Sequence, residues 1–104
     1  MAWSPAKTIK LGKNVTTLEA KAFYCCLQLT SIDLSNVKSI AIDAFESCAK
    51  LSHVIISSGV QISGNPFPHC SALKRVTFYG TKGDWNNIKA YFPTDVSVTF
   101  ITEE

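Results

Sequence analysis

A single step of 22 residues organises this chain. It carries Phe23 to Phe45 to Phe67, Cys26 to Cys48 to Cys70, and Leu29 to Leu51 to Leu73. The same step links Ile32, Val54 and Val76, then Leu34, Ile56 and Phe78. Five columns keeping one period over three copies make a repeat, and a period of ~20–50 residues means stacked units. No unit of this length buries its apolar face alone, so the core has to be shared between neighbours. Folds of this kind usually work through their surface rather than through a reactive cleft.

The complete copies run from Val15 to Asn36, Val37 to Gly59 and Val60 to Thr81. The third has one residue fewer between its valine and Phe67, and Gly59 lengthens the turn before it. Pro66 replaces the alanine found at the same place in the other two. Residues 1–14 hold a partial N-terminal rung, Thr8-Ile9-Lys10-Leu11, and residues 82–104 form a C-terminal cap, within one domain spanning 1–104.

Each copy ends in alternation. Ile32 and Leu34 face one way while Asp33 faces the other, as expected of a short half-buried strand. Rungs are therefore expected at Ile9–Leu11, Ile32–Leu34, Val54–Ile56 and Val76–Phe78. The V-x-x-I element at the start of each copy gives a second short extended segment. Between them A-F-x-x-C reads as one helical turn dropping its phenylalanine inward, so that three rings form an internal spine. In the cap, Asp84 to Phe92 reads as a short helix with Asp84 as N-cap and Pro93 as stop. Trp85, Ile88 and Phe92 share one face of it, and Val96–Phe100 alternates as a closing strand. The fold class is thus a solenoid of short parallel strands and single helical turns, closed by a helix and a strand. The N-terminal end has only Trp3, Ile9 and Leu11 to cover it, which makes it the expected site of homo-oligomerisation.

The pattern V-x-x-[LI]-x-x-x-A-F-x-x-C-x-x-L-x-x-[IV]-x-[LI] resembles the BspA-type leucine-rich repeat, known also from treponemal surface proteins. The likeness covers roughly residues 8 to 81. Phe78-Tyr79-Gly80-Thr81-Lys82-Gly83-Asp84-Trp85-Asn86-Asn87-Ile88 looks like the Y-x-G-T-x-x-x-W-x-x-I segment that closes such arrays. Glu19, Ala41 and Ser63 stand where the family often has glycine. The resemblance implies a bacterial or protist surface protein whose array engages host or cell-surface proteins, host matrix among them. The alternative is an intracellular or self-associating scaffold domain without an extracellular ligand.

Nothing in the sequence assembles a reaction centre. Cysteines stacked in one column would lie about 4.8 Å apart with parallel side chains, wider than a disulfide prefers. They read as buried thiols, with Cys25 outside the column and the most accessible. A zinc site needs convergent ligands. His69 and Cys70 are adjacent and diverge, and His53 sits in another column, so neither metal nor cofactor is expected. Glu19, Asp33, Asp43 and Glu46 occupy unmatched repeat positions. Gly80 and Gly83 read as turn residues. A net charge of +2 with scattered Lys and Arg does not suit nucleic acid. No run approaches the ~20 apolar residues of a membrane helix. Met1-Ala-Trp-Ser-Pro-Ala-Lys has no signal-peptide pattern. Surface or secreted placement is expected if the chain belongs to a longer one, and cytoplasmic placement if Met1 is the native start.

Outward positions change from rung to rung while inward ones keep their character. The outward columns read Thr8, Ser31, His53, Arg75, then Lys10, Asp33, Ile55, Thr77, and then Ser35, Ser57, Tyr79. His53, Ile55, Arg75 and Tyr79 supply the ring, apolar and guanidinium groups that anchor protein contacts, so they are the expected partner-binding group, the alternative being an ordinary solvated sheet face with one exposed isoleucine.

Overall fold

The computed structural model describes residues 8–9, 11, 14–23, 26–67, 70–92 and 95–101. Trp3, Lys10, Cys25, His69 and Pro93 lie outside them, and of Thr8 and Ile9 only the backbone pairing is described. The chain coils. Five strands, β1 (Thr8–Ile9), β3 (Ser31–Asp33), β5 (His53–Ser57), β7 (Arg75–Tyr79) and β8 (Ser97–Ile101), pair in that order. Every pairing is parallel. β2 (Thr17–Leu18), β4 (Ser39–Ile40) and β6 (Gln61–Ile62) form a second parallel sheet on another side. Parallel neighbours need a long connection, and here one circuit of the coil supplies it.

The register matches the period. Ile32 pairs with Val54, Val54 with Val76 and Val76 with Val98. Ile32, Leu34, Val54, Ile56, Val76 and Phe78 are buried. The last strand begins at Ser97 rather than Val96, and the first covers Thr8–Ile9, with Leu11 following it and packing half-buried on the core.

The third side is built from turns. Cys26, Cys48 and Cys70 N–H groups donate to Phe23, Phe45 and Phe67 carbonyls at 3.4, 3.3 and 3.3 Å. Leu29, Leu51 and Leu73 then donate to those cysteines' carbonyls at 3.1, 3.1 and 3.2 Å. Each A-F-x-x-C-x-x-L segment is therefore two linked single turns. Neighbouring turns are tied as well: Phe23 N–H donates to Ala44 at 2.7 Å and Phe45 N–H to Pro66 at 2.8 Å. Residue 66 serves the preceding rung through its carbonyl alone, so proline is tolerated there.

The corner before each turn needs a left-handed residue, placed later than the family glycine position. Lys21 and Asp43 take it, at φ 61° and 62°. In the third copy the corner from Ile62 to Phe67 is as long as that from Ile40 to Phe45, and the left-handed residue stands one position earlier, at Gly64 with φ 70°, where a Cβ would meet the Ile42 side chain at 2.9 Å. Glycine takes that conformation without the cost a Cβ would bring.

Inside, Phe23 and Phe45 stack at 5.1 Å with 7° between planes, and Phe45 and Phe67 at 5.3 Å with 16°. Phe92 continues the column from Phe67 at 5.2 Å, and Trp85 packs on Phe92 at 5.0 Å and edge-on to Phe78 at 5.5 Å. The cap thus extends the aromatic column across the C-terminal end.

Two details of the cap differ from the sequence expectation. The N-cap of α1 (Lys82–Asn86) is Thr81, not Asp84. Thr81 has extended backbone, its hydroxyl accepts from Asp84 N–H at 3.2 Å, and Asp84 returns a bond to Thr81 N–H at 3.4 Å. That reciprocal pair is a capping box, in which the carboxylate belongs three residues inside. The expected single helix is also split, since a separate 3-10 turn covers Lys89–Tyr91. Trp85, Ile88 and Phe92 are still all buried, as their spacing requires.

Candidate binding surface

The outer side of the five-stranded sheet is where the columns vary. His53 pairs with Arg75, Ile55 with Thr77 and Ser57 with Tyr79. Alternation puts His53, Ile55, Ser57, Arg75, Thr77 and Tyr79 on one face of β5 and β7, with Val54, Ile56, Val76 and Phe78 buried behind them. Arg75 is exposed, while His53, Ile55 and Tyr79 are half-buried among their neighbours. The structure thus places His53, Ile55, Arg75 and Tyr79 on adjacent strands of one surface.

His53 Nε2 lies 2.9 Å from Thr77 Oγ1, which fixes the imidazole across the rung. Partial burial, reinforced by the Arg75 charge, holds its pKa below the ordinary histidine value. Lys74 reaches Asp95 at 2.9 Å, so the neighbouring cation is paired. Among the described residues no carboxylate pairs with Arg75. The Arg75 guanidinium is thus solvent-exposed on this face.

Beyond Tyr79 the surface dips. A cleft of about 620 Å³ lies at the C-terminal ends of β3, β5 and β7, with Ser35, Asn36, Ser57, Ser58, Tyr79 and Thr81 on its walls. Ser57 Oγ donates to the Ser35 carbonyl at 2.9 Å, and Asp33 Oδ1 accepts from Ser35 N–H at 2.9 Å. The column Ser35, Ser57, Tyr79 was visible in the sequence. The cleft was not, because it depends on how the chain leaves the sheet at Ser58 and Gly80.

The three described cysteines are interior. Cys26, Cys48 and Cys70 are buried and not in disulfides. Their thiols have a use that the sequence does not announce: Cys48 Sγ donates to the Phe23 carbonyl at 3.1 Å, and Cys70 Sγ to Phe45 at 2.9 Å. Each thiol ties its turn to the rung before it. The adjoining Cys70 thiol, together with burial, pushes Cys48 well above the ordinary thiol range, so it stays protonated and unreactive. No cluster of metal-binding side chains exists among the described residues. Nor is any helix there long and apolar enough to cross a membrane.

At the N-terminal end, Ile9 pairs with Ile32 and Leu11 is half-buried. Val15 is 37 % exposed, whereas its equivalents Val37 and Val60 are 2 % and 7 % exposed. Val37 and Val60 each have a complete copy before them in the stack, and Val15 does not.

Residues 2–92 match the family described as BspA type leucine rich repeat region (6 copies). The chain belongs to that family. Its arrays are repeat modules often involved in protein interaction, and the family is generally non-catalytic. Neither curated proteins nor solved structures gave a match.

Proposed function

We propose that this leucine-rich repeat chain is a non-catalytic protein-binding module whose working face is the outer side of β5 and β7, serving adhesion to a host-matrix or cell-surface protein. The observation that carries this reading is the juxtaposition, on one face, of Ile55 and an Arg75 without a carboxylate partner among the described residues, with His53 and Tyr79 beside them. Aromatic and arginine side chains around an apolar centre carry most of the energy of protein contacts. A partner fitted to it presents a carboxylate to Arg75 and an apolar side chain to Ile55. Surface plasmon resonance over immobilised matrix extract tests this. Saturable binding that falls at least tenfold in Arg75→Ala, but not in Lys50→Ala, supports it. Equal binding by both variants refutes it.

A second reading is self-association through the N-terminal end, favoured by the exposed Val15 in a column that is otherwise buried. Sedimentation velocity separates the two. Val15→Ser shifts a dimer towards monomer and leaves matrix binding intact, and a chain that is monomeric at high concentration removes this reading.

A further inference from the structure

We propose that the cleft at the C-terminal ends of β3, β5 and β7 binds a neutral saccharide chain. Its walls carry the hydroxyls of Ser35, Ser57, Ser58, Thr81 and Tyr79 and the amide of Asn36. Gly80 and Ile101 complete the lining, and among the described residues no Asp, Glu, Lys, Arg or His lines it. A charged ligand finds no countercharge there, whereas hydroxyls and amides offer both donors and acceptors. A ligand rich in hydroxyls of its own meets that chemistry best.

The backbone around the cleft argues against an extended peptide. Ser58 N–H already donates to Tyr79 at 2.9 Å, and Gly80 N–H to Ile101 at 2.9 Å. Thr81 N–H is held by Asp84. A peptide adding to this surface would need those donors, and the rungs have used them. Side-chain groups remain. Ser57 Oγ spends its proton on the Ser35 carbonyl, which fixes it as an acceptor towards the cleft. Tyr79 stands next to it in register and brings a ring face with a hydroxyl at its tip. Sugars combine equatorial hydroxyls with an apolar C–H face, which suits an aromatic ring flanked by hydroxyls.

Spacing adds a separate reason. Ser35, Ser57 and Tyr79 stand on successive rungs, about 4.8 Å apart. That is close to the advance of one pyranose along a linear chain, so neighbouring rungs meet neighbouring sugar units. The volume lies within the range of small-ligand sites, about 300–1,000 Å³. The cleft adjoins the proposed partner face and shares Tyr79 with it, but not Arg75, and its case does not depend on that face.

The test is a backbone amide NMR titration of the full chain with maltotriose, cellotriose, mannotriose and chitotriose, and with a sulfated heparin trisaccharide as the charged control. At least one neutral probe is expected to shift the Ser35, Ser57, Ser58 and Thr81 amides saturably, with no shift there from the heparin probe. Tyr79→Ala weakens that binding about tenfold, the scale of one aromatic contact, and the exposed Asn36→Ala weakens it in a second, fold-neutral way. Arg75→Ala leaves it unchanged, which separates this site from the partner face. A mannose-bearing glycoprotein, before and after enzymatic deglycosylation, distinguishes a protein-borne glycan from a free polysaccharide as the source. Absence of saturable cleft shifts with all neutral probes and with the glycoprotein overturns the proposal. So does an equal response to the heparin probe, or to the deglycosylated protein.

Discussion

Phe45→Ala removes the middle ring of the aromatic column. Phe45 is fully buried and stacked between Phe23 and Phe67, at 5.1 and 5.3 Å with nearly parallel planes. A phenylalanine buries about 150–250 Å², which at ~25 cal/mol/Å² corresponds to about 4–6 kcal/mol before the retained Cβ is subtracted. Core Phe→Ala changes cost about 3–5 kcal/mol. This site belongs at the upper end, because the rings on either side belong to rungs whose spacing is fixed by strand and turn hydrogen bonds. Neither can close the gap without stretching Phe23 N–H to Ala44 or Phe45 N–H to Pro66. For a chain of about 100 residues, a loss near 4 kcal/mol lowers Tm by about 16–32 °C. Urea unfolding followed by far-ultraviolet circular dichroism measures it, with Thr99→Ala on the exposed sheet face as control, expected within about 0.5 kcal/mol. Phe23→Ala should cost less than Phe45→Ala, since among the described residues Phe23 has one ring neighbour. A loss below about 1 kcal/mol for Phe45→Ala, against the ~3–5 expected, would show that the column does not hold the stack together.

Native-state thiol labelling followed by intact mass should leave Cys26, Cys48 and Cys70 unmodified until denaturant is added, with Cys25 reacting first if any does; rapid native modification of three sites contradicts the buried ladder. The His53 imidazole resonances should titrate below pH 6.5, and Arg75→Ala should move the midpoint upward. Since the fold disfavours the charged ring, the stabilising contribution of neutral His53 is present above pH 6.5 and lost as pH falls towards the lower folded midpoint, a slope that His53→Gln should abolish. Gly80→Ala should cost about 1–3 kcal/mol by denaturant unfolding, the usual range for overpacking; its Cβ would meet the Phe78 ring at 2.7 Å and Ser58 Cβ at 3.0 Å. Thr81→Ala removes the capping box of α1, with an expected loss of about 1 kcal/mol in the same assay.

The sequence made the inward columns readable because packing repeats there with the period. Phe45 has to resemble Phe23 and Phe67 to stack on both, and Val54 has to match Ile32 and Val76. The cap was harder. Thr81 and Asp84 are both good N-cap residues, and the choice between them rests on where the chain turns out of β7. That turn is set by Gly80 packing against Phe78, a contact between the strand and its own exit. The corners followed the same logic: a left-handed φ at Lys21 and Asp43 is not signalled by those residue types, while Gly64 signals it in the third copy. The thiol ladder was hidden for another reason. A buried cysteine column looks the same in sequence whether its protons are idle or bonded, and only the approach of Cys48 and Cys70 to the preceding rung's carbonyls distinguishes them.

The outer columns carry less of this constraint, and this is why the proposed function is placed there. Ser31, His53, Arg75 and Ser97 share a register column that changes from hydroxyl to imidazole to guanidinium and back, since the backbone ladder behind them is satisfied whatever they are. A repeat array therefore separates two tasks in space. Inward residues are held to one identity by the rung above and below, and a change at Phe45 is felt by both neighbours. Outward residues are tied between rungs by a few side-chain bonds, such as His53 to Thr77 and Ser57 to Ser35, and otherwise answer to solvent and to what docks on them. Arg75 and Tyr79 can be exchanged at little cost to the stack, so substitutions there read out binding rather than folding. The same separation makes the partner face and the saccharide cleft testable one at a time: Arg75→Ala reports on the first and Asn36→Ala on the second, and both leave the Phe–Cys interior intact.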